Sequence, residues 1–589
     1  MKQFLKYTFA TIVGSLISFL LLVFIFIFTV SAMVSAFDKE EIKELKNNSI
    51  LTLKLDYVIP ERTSKNPFES MDLSFTPTKL NSGLNDILKA IKEAKTNENI
   101  KGIYLNVSIS PNSYATLESI REALIDFKTS KKFIIAYGEV LEEHSYYIAS
   151  VADEIYLNPS GELLLDGFSN STPYLKGLFD KLGIEPQLIR HGKYKAAGEP
   201  LITNKMSDEN RKQIEAYTGS IFNNFCDDIA KSRNLKTDEL IEIINELKVQ
   251  SPEDAKKLGL ITNILFEDEV LEILTKKTGV EKYKDVTSVS SEELAKHAKN
   301  TPYSVKEKIA VVYCVGDIVS GNSDKNTMGS TTIVESIRKA KEDSTIKAVV
   351  LRVNSPGGSA MASDVIWREV KLTKKIKPVI VSMGDMAASG GYYIACPANT
   401  IVAQKNTITG SIGVFALLIN AQKLIKEKLG INVETVKFGK YADMGTTNRA
   451  LTDEEKQIMQ RYIDRIYTDF IEKVAEGRNL KKEFVDSIAQ GRVWSGTDAK
   501  AIGLIDEYGG LDKAIEIAAK QASIDKYRII NYPEQKSALD ELMNNLSMEA
   551  SAYWLRYQMG EQYTWYKQVK DATKYEGLQM RVPVQSSIQ

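Results

Sequence analysis

The sequence predicts an α/β protein built from two tandem copies of one domain, placed after an N-terminal transmembrane helix. Three observations carry this prediction: one long uncharged segment near the amino terminus, an internal repeat, and strand–loop–helix–strand patterns inside that repeat. The chain has 589 residues, which is too many for a single hydrophobic core, so two or more domains are expected.

The amino-terminal segment is predicted to anchor the chain in a membrane. No charged residue occurs between Lys6 and Asp38, and residues 19–28 are densely apolar. A spanning helix needs about 20 such residues, whereas the apolar core of a cleaved signal peptide usually has ~7–15. We therefore expect an uncleaved anchor within residues 1–40, and the small residues Ser35 and Ala36 leave a cleaved signal peptide as the alternative. Lysines precede the run and acidic residues follow it, so the rest of the chain is expected outside the cytoplasm.

The remainder of the chain repeats itself with a period of roughly 245 residues, too long for a solenoid. Residues 100–107 (IKGIYLNV) match 346–353 (IKAVVLRV), and residues 181–184 match 428–431 (both KLGI). We expect the following segments after the anchor: a first α/β copy at 41–285, a polar linker at 286–305, a second α/β copy at 306–540 and an aromatic-rich tail at 541–589.

Each copy reads as an α/β unit with a largely parallel sheet. In the second copy, residues 348–353 form a continuous apolar run typical of a buried strand. The loop at 354–358 (NSPGG), a helical pattern to about Lys374 and a further strand at 378–383 follow. In parallel sheets the chemistry gathers at the carboxyl ends of the strands, so the loops that follow these strands are the first place to search.

Composition excludes several classes of function. Lys and Arg total 76 and Asp and Glu total 77, so the net charge is −1 and a dedicated nucleic-acid binder is not expected. The chain has three cysteines and three histidines, and no acidic or histidine cluster has the spacing of metal ligands. We therefore expect neither a disulfide scaffold, nor a metal site, nor a cofactor.

Ser389 is the candidate nucleophile. It stands in the loop 384–391 (GDMAASGG), where a strand is expected to turn into a helix. The plain alternative is that this serine only caps the helix. The repeat decides between the two, because the first copy has Glu143 at the matching position, and Pro111 and Asn112 where the second copy has the glycine pair 357–358. A shared fold does not need residues that only one copy has, so we interpret the serine as functional.

The base for such a serine is predicted to be a lysine from the other copy. His297 is the last histidine in the chain, so no histidine follows the serine. Lys193 of the first copy matches Lys440 of the second, whereas Lys195 matches Ala442 and is special to the first copy. Each copy thus holds one half of a Ser-Lys pair, which the two copies can complete by packing together. A serine–histidine pair across the copies, through His144 or His191, remains the alternative.

With these residues in hand, the chain resembles the long form of signal peptide peptidase A, a family of membrane-bound serine peptidases with a Ser-Lys dyad. The resemblance spans about residues 1–540 and rests on these motifs: 384–393 (GDMAASGGYY), 354–358 (NSPGG), 409–413 (TGSIG) and Tyr194-Lys195 leading to Glu199-Pro200.

The resemblance implies a role for each site residue. Ser389 would be the nucleophile, Lys195 the general base, and Ser411 the serine that orients the lysine. The backbone N–H of Gly390, with that of Gly357 or Gly358, would form the oxyanion hole.

The resemblance also implies an architecture, a location and a substrate. The fold would be that of the Clp-protease/crotonase superfold, and the protein would assemble as a homotetramer. It would lie in the bacterial inner membrane as a single-pass protein with its catalytic domains on the periplasmic side. It would degrade remnant signal peptides within their apolar cores. In the tail, which departs from the family pattern, the aromatic residues between Tyr553 and Tyr566 are expected to form an amphipathic helix.

Two readings from other classes compete with a peptidase. A non-peptidase crotonase-like enzyme acting on acyl thioesters would not need the pairing of Ser389 with Lys195. A pseudo-peptidase scaffold that only binds peptides would tolerate the loss of either residue.

Overall fold

A computed structural model of the protein describes residues 2–38, 44–64, 81–298, 301–324, 326–535 and 577–581. Strands and helices are numbered in chain order. The first element is helix α1 (Lys2–Asp38), which precedes the first copy. Within the described ranges, no helix combines the length and the apolarity required for crossing a membrane. The anchor expected within residues 1–40 therefore stays a prediction.

The first copy is built on a six-stranded sheet in which all neighbouring strands run parallel. Its strands are β1 (Ser49–Leu53), β2 (Ile100–Asn106), β3 (Phe133–Leu141), β4 (Glu154–Leu163), β6 (Asn263–Ile264) and β7 (Ser288–Val289). Their order across the sheet is β6-β4-β3-β2-β1-β7. Apolar side chains on both faces of the inner strands are buried, which is typical of a parallel sheet covered by helices.

Amphipathic helices accompany this sheet. In α2, for example, the buried side chains of Leu84, Ile87 and Ile91 recur every three or four residues and share one face. The helices of the first copy are α2 (Leu84–Thr96), α3 (Tyr114–Lys128), α4 (Glu143–Ala149), α5 (Lys176–Leu182), α6 (Glu199–Ile202), α7 (Asp208–Arg233), α8 (Thr237–Asn245), α9 (Pro252–Lys257), α10 (Glu267–Thr278) and α11 (Ser291–His297).

The segment 286–305, expected to be a linker, contributes to the first copy. Strand β7 pairs with β1 at the edge of the sheet, and α11 packs against α2. The side chains of Val289 and Leu294 are buried. Backbone pairing and buried apolar side chains therefore hold this segment on the first copy.

The second copy has an eight-stranded sheet that is parallel except where β15 meets β17. Its strands are β8 (Lys308–Val315), β11 (Ile346–Ser355), β13 (Val379–Ala388), β14 (Thr400–Ala403), β15 (Ile408–Gly410), β17 (Val493–Ser495), β18 (Glu507–Tyr508) and β19 (Arg528–Tyr532). The main path is β17-β15-β13-β11-β8-β19, and β14 joins β13 to β18.

The helices of the second copy repeat the pattern of the first. They are α12 (Ser330–Glu342), α13 (Ala360–Lys374), α14 (Gly390–Ala395), α15 (Asp453–Arg478), α16 (Lys482–Ile488), α17 (Gly496–Ala501) and α18 (Leu511–Gln521). The strand–loop–helix–strand pattern predicted from residue 348 onward appears as β11, α13 and β13, so the α/β reading of this copy is confirmed.

A third sheet joins the two copies. Its strands are β5 (Glu185–His191) of the first copy, then β9 (Asp317–Val319), β10 (Thr327–Gly329), β12 (Gly357–Ser359) and β16 (Val414–Asn420) of the second, and β20 (Gly577–Arg581) near the carboxyl terminus. Their order is β10-β9-β12-β20-β16-β5. The antiparallel pairing of β5 with β16 runs over seven residue pairs and connects the copies at the backbone level.

Buried charged groups also connect the copies. The Arg352 guanidinium lies 2.9 Å from a Glu61 carboxylate oxygen, and the Asn354 amide donates to the other oxygen at 3.0 Å. On the same side of the second sheet, the Asp385 carboxylate accepts from the N–H and the hydroxyl of Thr116 at 2.9 and 2.8 Å. Burial raises the pKa of Asp385 to about 6. These contacts fix one copy against the other beside the carboxyl ends of β11 and β13.

Candidate active site

Ser389 lies at the carboxyl end of β13, immediately before α14. Its backbone has φ 55° and ψ −114°, a conformation that non-glycine residues rarely adopt and that costs ~1–3 kcal/mol. The Ser389 N–H donates to the carbonyl oxygen of Gly410 at 2.8 Å. The side chain is fully buried and makes no capping hydrogen bond to α14. The geometry therefore does not support the alternative that this serine only caps a helix.

Lys195 reaches Ser389 because β5 pairs with β16. At one end of this pairing His191 lies opposite Val414, so the chain segments beyond both strands meet. Lys195 follows β5 and Ser411 precedes β16, and both residues are fully buried. The Lys195 Nζ lies 2.8 Å from the Ser389 Oγ. The structure thus brings together the two residues that the sequence predicted to form a dyad.

The contacts of the lysine amine suit a neutral base. Besides Ser389, the Lys195 Nζ contacts the carbonyl oxygen of Ser411 at 3.1 Å and the Ser411 Oγ at 3.0 Å. The Ser411 hydroxyl donates its own hydrogen to the Gly491 carbonyl oxygen at 3.3 Å, so its oxygen is available as an acceptor. A neutral amine has two N–H donors and one lone pair. Both donors can therefore point at Ser411 while the lone pair faces the Ser389 hydroxyl.

Two glycines make room for this lysine. A Cβ added at Gly491 would lie 2.6 Å from the Cβ of Lys195 and 2.7 Å from its backbone nitrogen. A Cβ added at Gly413 would lie 3.2 Å from the Lys195 Cδ. On the other side, the Arg190 guanidinium donates to the Lys195 carbonyl oxygen at 2.9 Å. The lysine backbone and stem are therefore held on several sides, so the position of the amine is set by packing as well as by hydrogen bonds.

The environment of Lys195 favours its neutral form. Burial lowers the pKa of Lys195 well below the usual value for a lysine, because a low-dielectric surrounding disfavours the charged ammonium. A lysine with a lowered pKa can accept a proton from a serine hydroxyl, which an ordinary protonated lysine cannot do.

The predicted oxyanion glycines lie beside the serine. The point where a Gly357 Cβ would stand is 2.8 Å from the backbone nitrogen of Gly390, so the two glycines face each other closely. Gly390 is the first residue of α14, where a backbone N–H has no acceptor within the helix. The N–H of Gly357 donates to the Ser355 hydroxyl at 3.1 Å, and Gly358 packs against Ile318 of β9. Gly390 is therefore the best-placed donor of the three.

The first copy uses the equivalent positions for structure. Glu143, which matches Ser389, accepts from the N–H groups of Asp166 and Gly167 at 3.0 and 3.2 Å, and burial raises its pKa to about 7. Asn112, which matches Gly358, accepts from the Ile59 N–H at 2.8 Å and donates to the Tyr57 carbonyl oxygen at 2.9 Å. These side chains hold loops at the positions where the second copy has its serine and glycines. Among the residues that the structure describes, the complete site therefore occurs once.

The histidines that could replace the lysine are engaged elsewhere. The His191 Nδ1 lies 2.8 Å from an Asp464 carboxylate oxygen, and its ring stacks on Tyr467 at 3.9 Å. His144 stacks on Tyr114 at 4.4 Å, and burial lowers its pKa to about 4. Across residues 81–298 and 326–535 no hydrogen bond joins either ring to the candidate serine. The geometry favours the lysine as the base.

The structure agrees with the repeat on which lysine of the first copy is the candidate base. Lys193 and Lys440, the matched pair, are both exposed, and the Lys440 amine bonds to the Glu454 carboxylate. Lys195 is fully buried.

Sequence reasoning missed two features of the site. The first is Gly491, which makes room for Lys195. In the sequence it is a single glycine two residues before β17, and nothing around it indicates that role. The second is β20, which lies between β12 and β16 and comes from the tail. The amphipathic helix expected between Tyr553 and Tyr566 falls outside the described residues.

Comparisons with known proteins agree with the repeat. The model of Peptidase family S49 matches the chain twice, at residues 126–281 and 371–525. The chain is 36% identical to "Serine protease SPPA, chloroplastic" of Arabidopsis thaliana, over 80% of this chain and 71% of that protein. It is 38% identical to "Protease 4" of Haemophilus influenzae, over 74% of this chain and 72% of that protein.

A solved structure of a ClpP1 point mutant from Listeria monocytogenes aligns with 35% of this chain and 94% of its own length at 15% identity. Its TM-score is 0.24, which carries no argument about the fold.

Proposed function

Since the chain belongs to peptidase family S49 and is a serine protease, we propose that it cuts peptide bonds with Ser389 as the nucleophile and Lys195 as the general base. The observation that carries the proposal is the 2.8 Å separation between the Lys195 Nζ and the Ser389 Oγ, in a site where both side chains are fully buried.

The first half of the reaction forms an acyl-enzyme. The neutral Lys195 amine takes the proton of the Ser389 hydroxyl while the serine oxygen attacks the carbonyl carbon of the substrate. The Gly390 N–H, the first of α14, is the donor assigned to the developing oxyanion, and such donors stabilise the transition state by about 3–4 kcal/mol each. The resulting ammonium then gives its proton to the leaving amine, and the peptide bond breaks.

In the second half of the reaction, the same residues catalyse hydrolysis of the acyl-enzyme and release the second product. The lysine, neutral again, takes a proton from a water molecule whose oxygen attacks the carbonyl carbon of the serine ester. The ester bond then breaks, the Ser389 oxygen takes the proton back from Lys195, and the product leaves as a carboxylic acid. Ser411 keeps the amine directed at the serine in both halves, because its carbonyl and hydroxyl oxygens accept from the two N–H groups that are not transferring a proton. Ser411 is therefore a positioning residue.

The competing readings fit these observations less well. A crotonase-like acyl-thioester enzyme would not need a buried lysine against a strained serine, and a peptide-binding scaffold would not need the lysine in its neutral form. Burying Lys195 and straining the backbone of Ser389 both lower the stability of the fold. Proton transfer between the two residues explains why they are placed together.

We propose further that the substrates are remnant signal peptides and that the uncharged segment within residues 1–40 anchors the chain as a single-pass protein of the inner membrane. The motif resemblance and the absence of charge between Lys6 and Asp38 support this. Apolar side chains of α1 are also widely exposed, as at Phe19 and Leu22, with 64% and 65% of their surface accessible. The catalytic copies would then lie on the periplasmic side, and the resemblance implies a homotetramer.

The substrate proposal is tested with purified protein in detergent micelles and a synthetic signal peptide. We expect internal cuts within the apolar core of the peptide, read by mass spectrometry, and none with the Ser389→Ala variant. Cutting only of soluble polar peptides would contradict the substrate class while leaving the protease activity intact.

Orientation is tested by adding a protease to spheroplasts. We expect it to digest the residues beyond α1 without lysis, because Lys2 and Lys6 hold the short amino terminus in the cytoplasm. Digestion that occurs only after lysis would contradict the proposed orientation.

A further inference from the structure

The third sheet contains a strand, β20, that lies against the candidate oxyanion glycines Gly357 and Gly358. Strand β20 runs antiparallel to β12 on one side and antiparallel to β16 on the other. Gly357 pairs with Arg581 and Gly358 with Met580, while Phe415 pairs with Gln579. The strands on both sides of β20 belong to the second copy and adjoin the loops that carry the oxyanion glycines and Ser411. The space between them is a groove shaped for one extended peptide.

We propose that this groove is the peptide-binding cleft of the protease, and that residues 577–581 occupy it as a built-in peptide ligand that competes with substrate. This inference rests on the proposed function, because it places the ligand at the site assigned to Ser389 and Lys195.

The backbone of β20 is placed as that of a substrate would be. The point where a Gly357 Cβ would stand lies 1.9 Å from the Met580 carbonyl oxygen and 2.8 Å from the Gly390 backbone nitrogen. The Met580 carbonyl oxygen and the backbone nitrogen of Gly390, the donor assigned to the oxyanion hole, therefore both border the same point beside Gly357. A peptide held on both edges by strand pairing, with one carbonyl at such a donor, has the arrangement of a protease substrate.

The side chains of β20 indicate what the cleft accepts. Met580 is fully buried in the apolar core of the second copy, together with Ile318. The Arg581 guanidinium lies 2.9 Å from the Asp317 carboxylate. The cleft therefore fits an unbranched apolar side chain at the residue whose carbonyl oxygen lies against Gly357, followed by a basic residue. Methionine suits such a pocket because its side chain is flexible and apolar.

Occupation of the cleft closes the site. With β20 in place, Ser389 and Lys195 have no accessible surface. In this proposal, a substrate binds in the cleft only after the strand leaves. Because β20 belongs to the same chain, its effective concentration at the cleft is on the order of millimolar. A free peptide that binds with a Kd of about 0.1 mM is therefore expected to be weakened about tenfold by this competition.

The test uses the Ser389→Ala variant, which cannot cut either its own strand or an added peptide. Two chains are compared by fluorescence anisotropy: the full chain and a chain that lacks residues 577–589. The probe is a fluorescein-labelled Gly-Leu-Gln-Met-Arg peptide, the sequence of β20. We expect the shortened chain to bind the probe at least tenfold more tightly than the full chain. Equal affinities, or no binding to the shortened chain, would overturn the proposal.

Two further variants separate the strand from general effects of the tail. Met580→Asp in the full Ser389→Ala chain places a charge in a buried apolar pocket, so the strand should leave and probe binding should match that of the shortened chain. Removal of residues 582–589 alone keeps β20 and should leave probe binding as weak as in the full chain. Tight binding after this smaller deletion would also overturn the proposal.

The binding assay does not depend on catalysis, so the two proposals can fail separately. If the shortened chain with an intact Ser389 cuts no peptide while its Ser389→Ala counterpart still binds the probe, the proposed function fails and the occupied cleft stands.

Discussion

Gly491 offers a way to move the proposed base without changing any reacting group. Its φ of 78° is one that favours glycine, and its backbone lies directly against Lys195. An alanine Cβ there would be 2.6 Å from the Lys195 Cβ, 2.7 Å from its nitrogen and 2.8 Å from its Cα. These are atoms of the backbone and of the side-chain root, so they cannot swing away as the end of a flexible side chain could.

The expected size of the effect follows from these distances. Carbon atoms in ordinary contact are ~3.5–4.0 Å apart, so Lys195 must move by about 1 Å. A displacement of about 1 Å at a reacting group costs on the order of 10²-fold in rate. We therefore expect Gly491→Ala to lower kcat/KM about a hundredfold, because the amine no longer meets the Ser389 hydroxyl.

Gly503→Ala is the matched control. Its φ of 77° is almost the same, so both variants carry the same backbone strain of ~1–2 kcal/mol. A Cβ at Gly503 would meet only the end of the Leu480 side chain, at 3.8 Å. The assay compares kcat/KM on a short fluorogenic peptide with the midpoint of thermal unfolding. Equal midpoints together with activities that agree within threefold would refute the idea that the position of Lys195 limits the reaction.

Three further predictions concern the dyad, its pH dependence and the interface between the copies. Ser389→Ala and Lys195→Ala should each abolish hydrolysis, and the double variant should be no worse than either, because residues that act as one unit are not additive. The kcat/KM should rise with pH as the buried lysine loses its proton, below the range of an ordinary lysine, and should not fall near neutrality. Replacing His144 and His191 together should leave the midpoint of that rise unchanged, since both rings have other partners. Glu61→Gln should lower the free energy of unfolding by about 3–5 kcal/mol in a denaturant titration, because the buried Arg352 guanidinium loses its ion-pair partner.

Each of these predictions has its own control and its own contradiction. Lys440→Ala should stay active, because this lysine is exposed and bonds to Glu454. Appreciable activity in a folded Ser389→Ala or Lys195→Ala variant would refute the assignment of these residues as the catalytic dyad. If the variant with both His144 and His191 replaced folds but is inactive, the general base is one of these two histidines and not Lys195. Glu472→Gln, in an exposed ion pair, should cost less than about 1 kcal/mol, and a similar cost for both glutamate variants would contradict the buried interface.

Comparison of the two copies made the central part of the site predictable from sequence. Ser389 and Lys195 were identified because each stands where the other copy has a different residue in the same frame. Their meeting was inferred from complementarity alone. The structure supplies the reason, which is the pairing of β5 with β16, over 220 residues apart in the chain. No local pattern predicts such a long-range pairing, because the sequence of one strand does not indicate which distant strand it will pair with.

The remaining differences have similar causes. The segment 286–305 is polar enough to be interpreted as a linker, yet its strand β7 pairs with β1, and its side chains Val289 and Leu294 are buried in the core of the first copy. Strand β20 is only five residues long and includes glycine, glutamine and arginine, so nothing in its composition predicts a strand. It is a strand because two strands of the second copy pair with it, one on each side.

The claim that one serine and one lysine from different copies form the reactive pair is tested most directly by covalent labelling. The full chain is treated with a serine-directed acylating probe at neutral pH, and the labelled residue is mapped by mass spectrometry. The account predicts a label on Ser389 in the natural chain, and loss of that label in a folded Lys195→Met variant, because a serine without its base is not nucleophilic. A label on another residue, or a Lys195→Met variant that reacts at the natural rate, would contradict it.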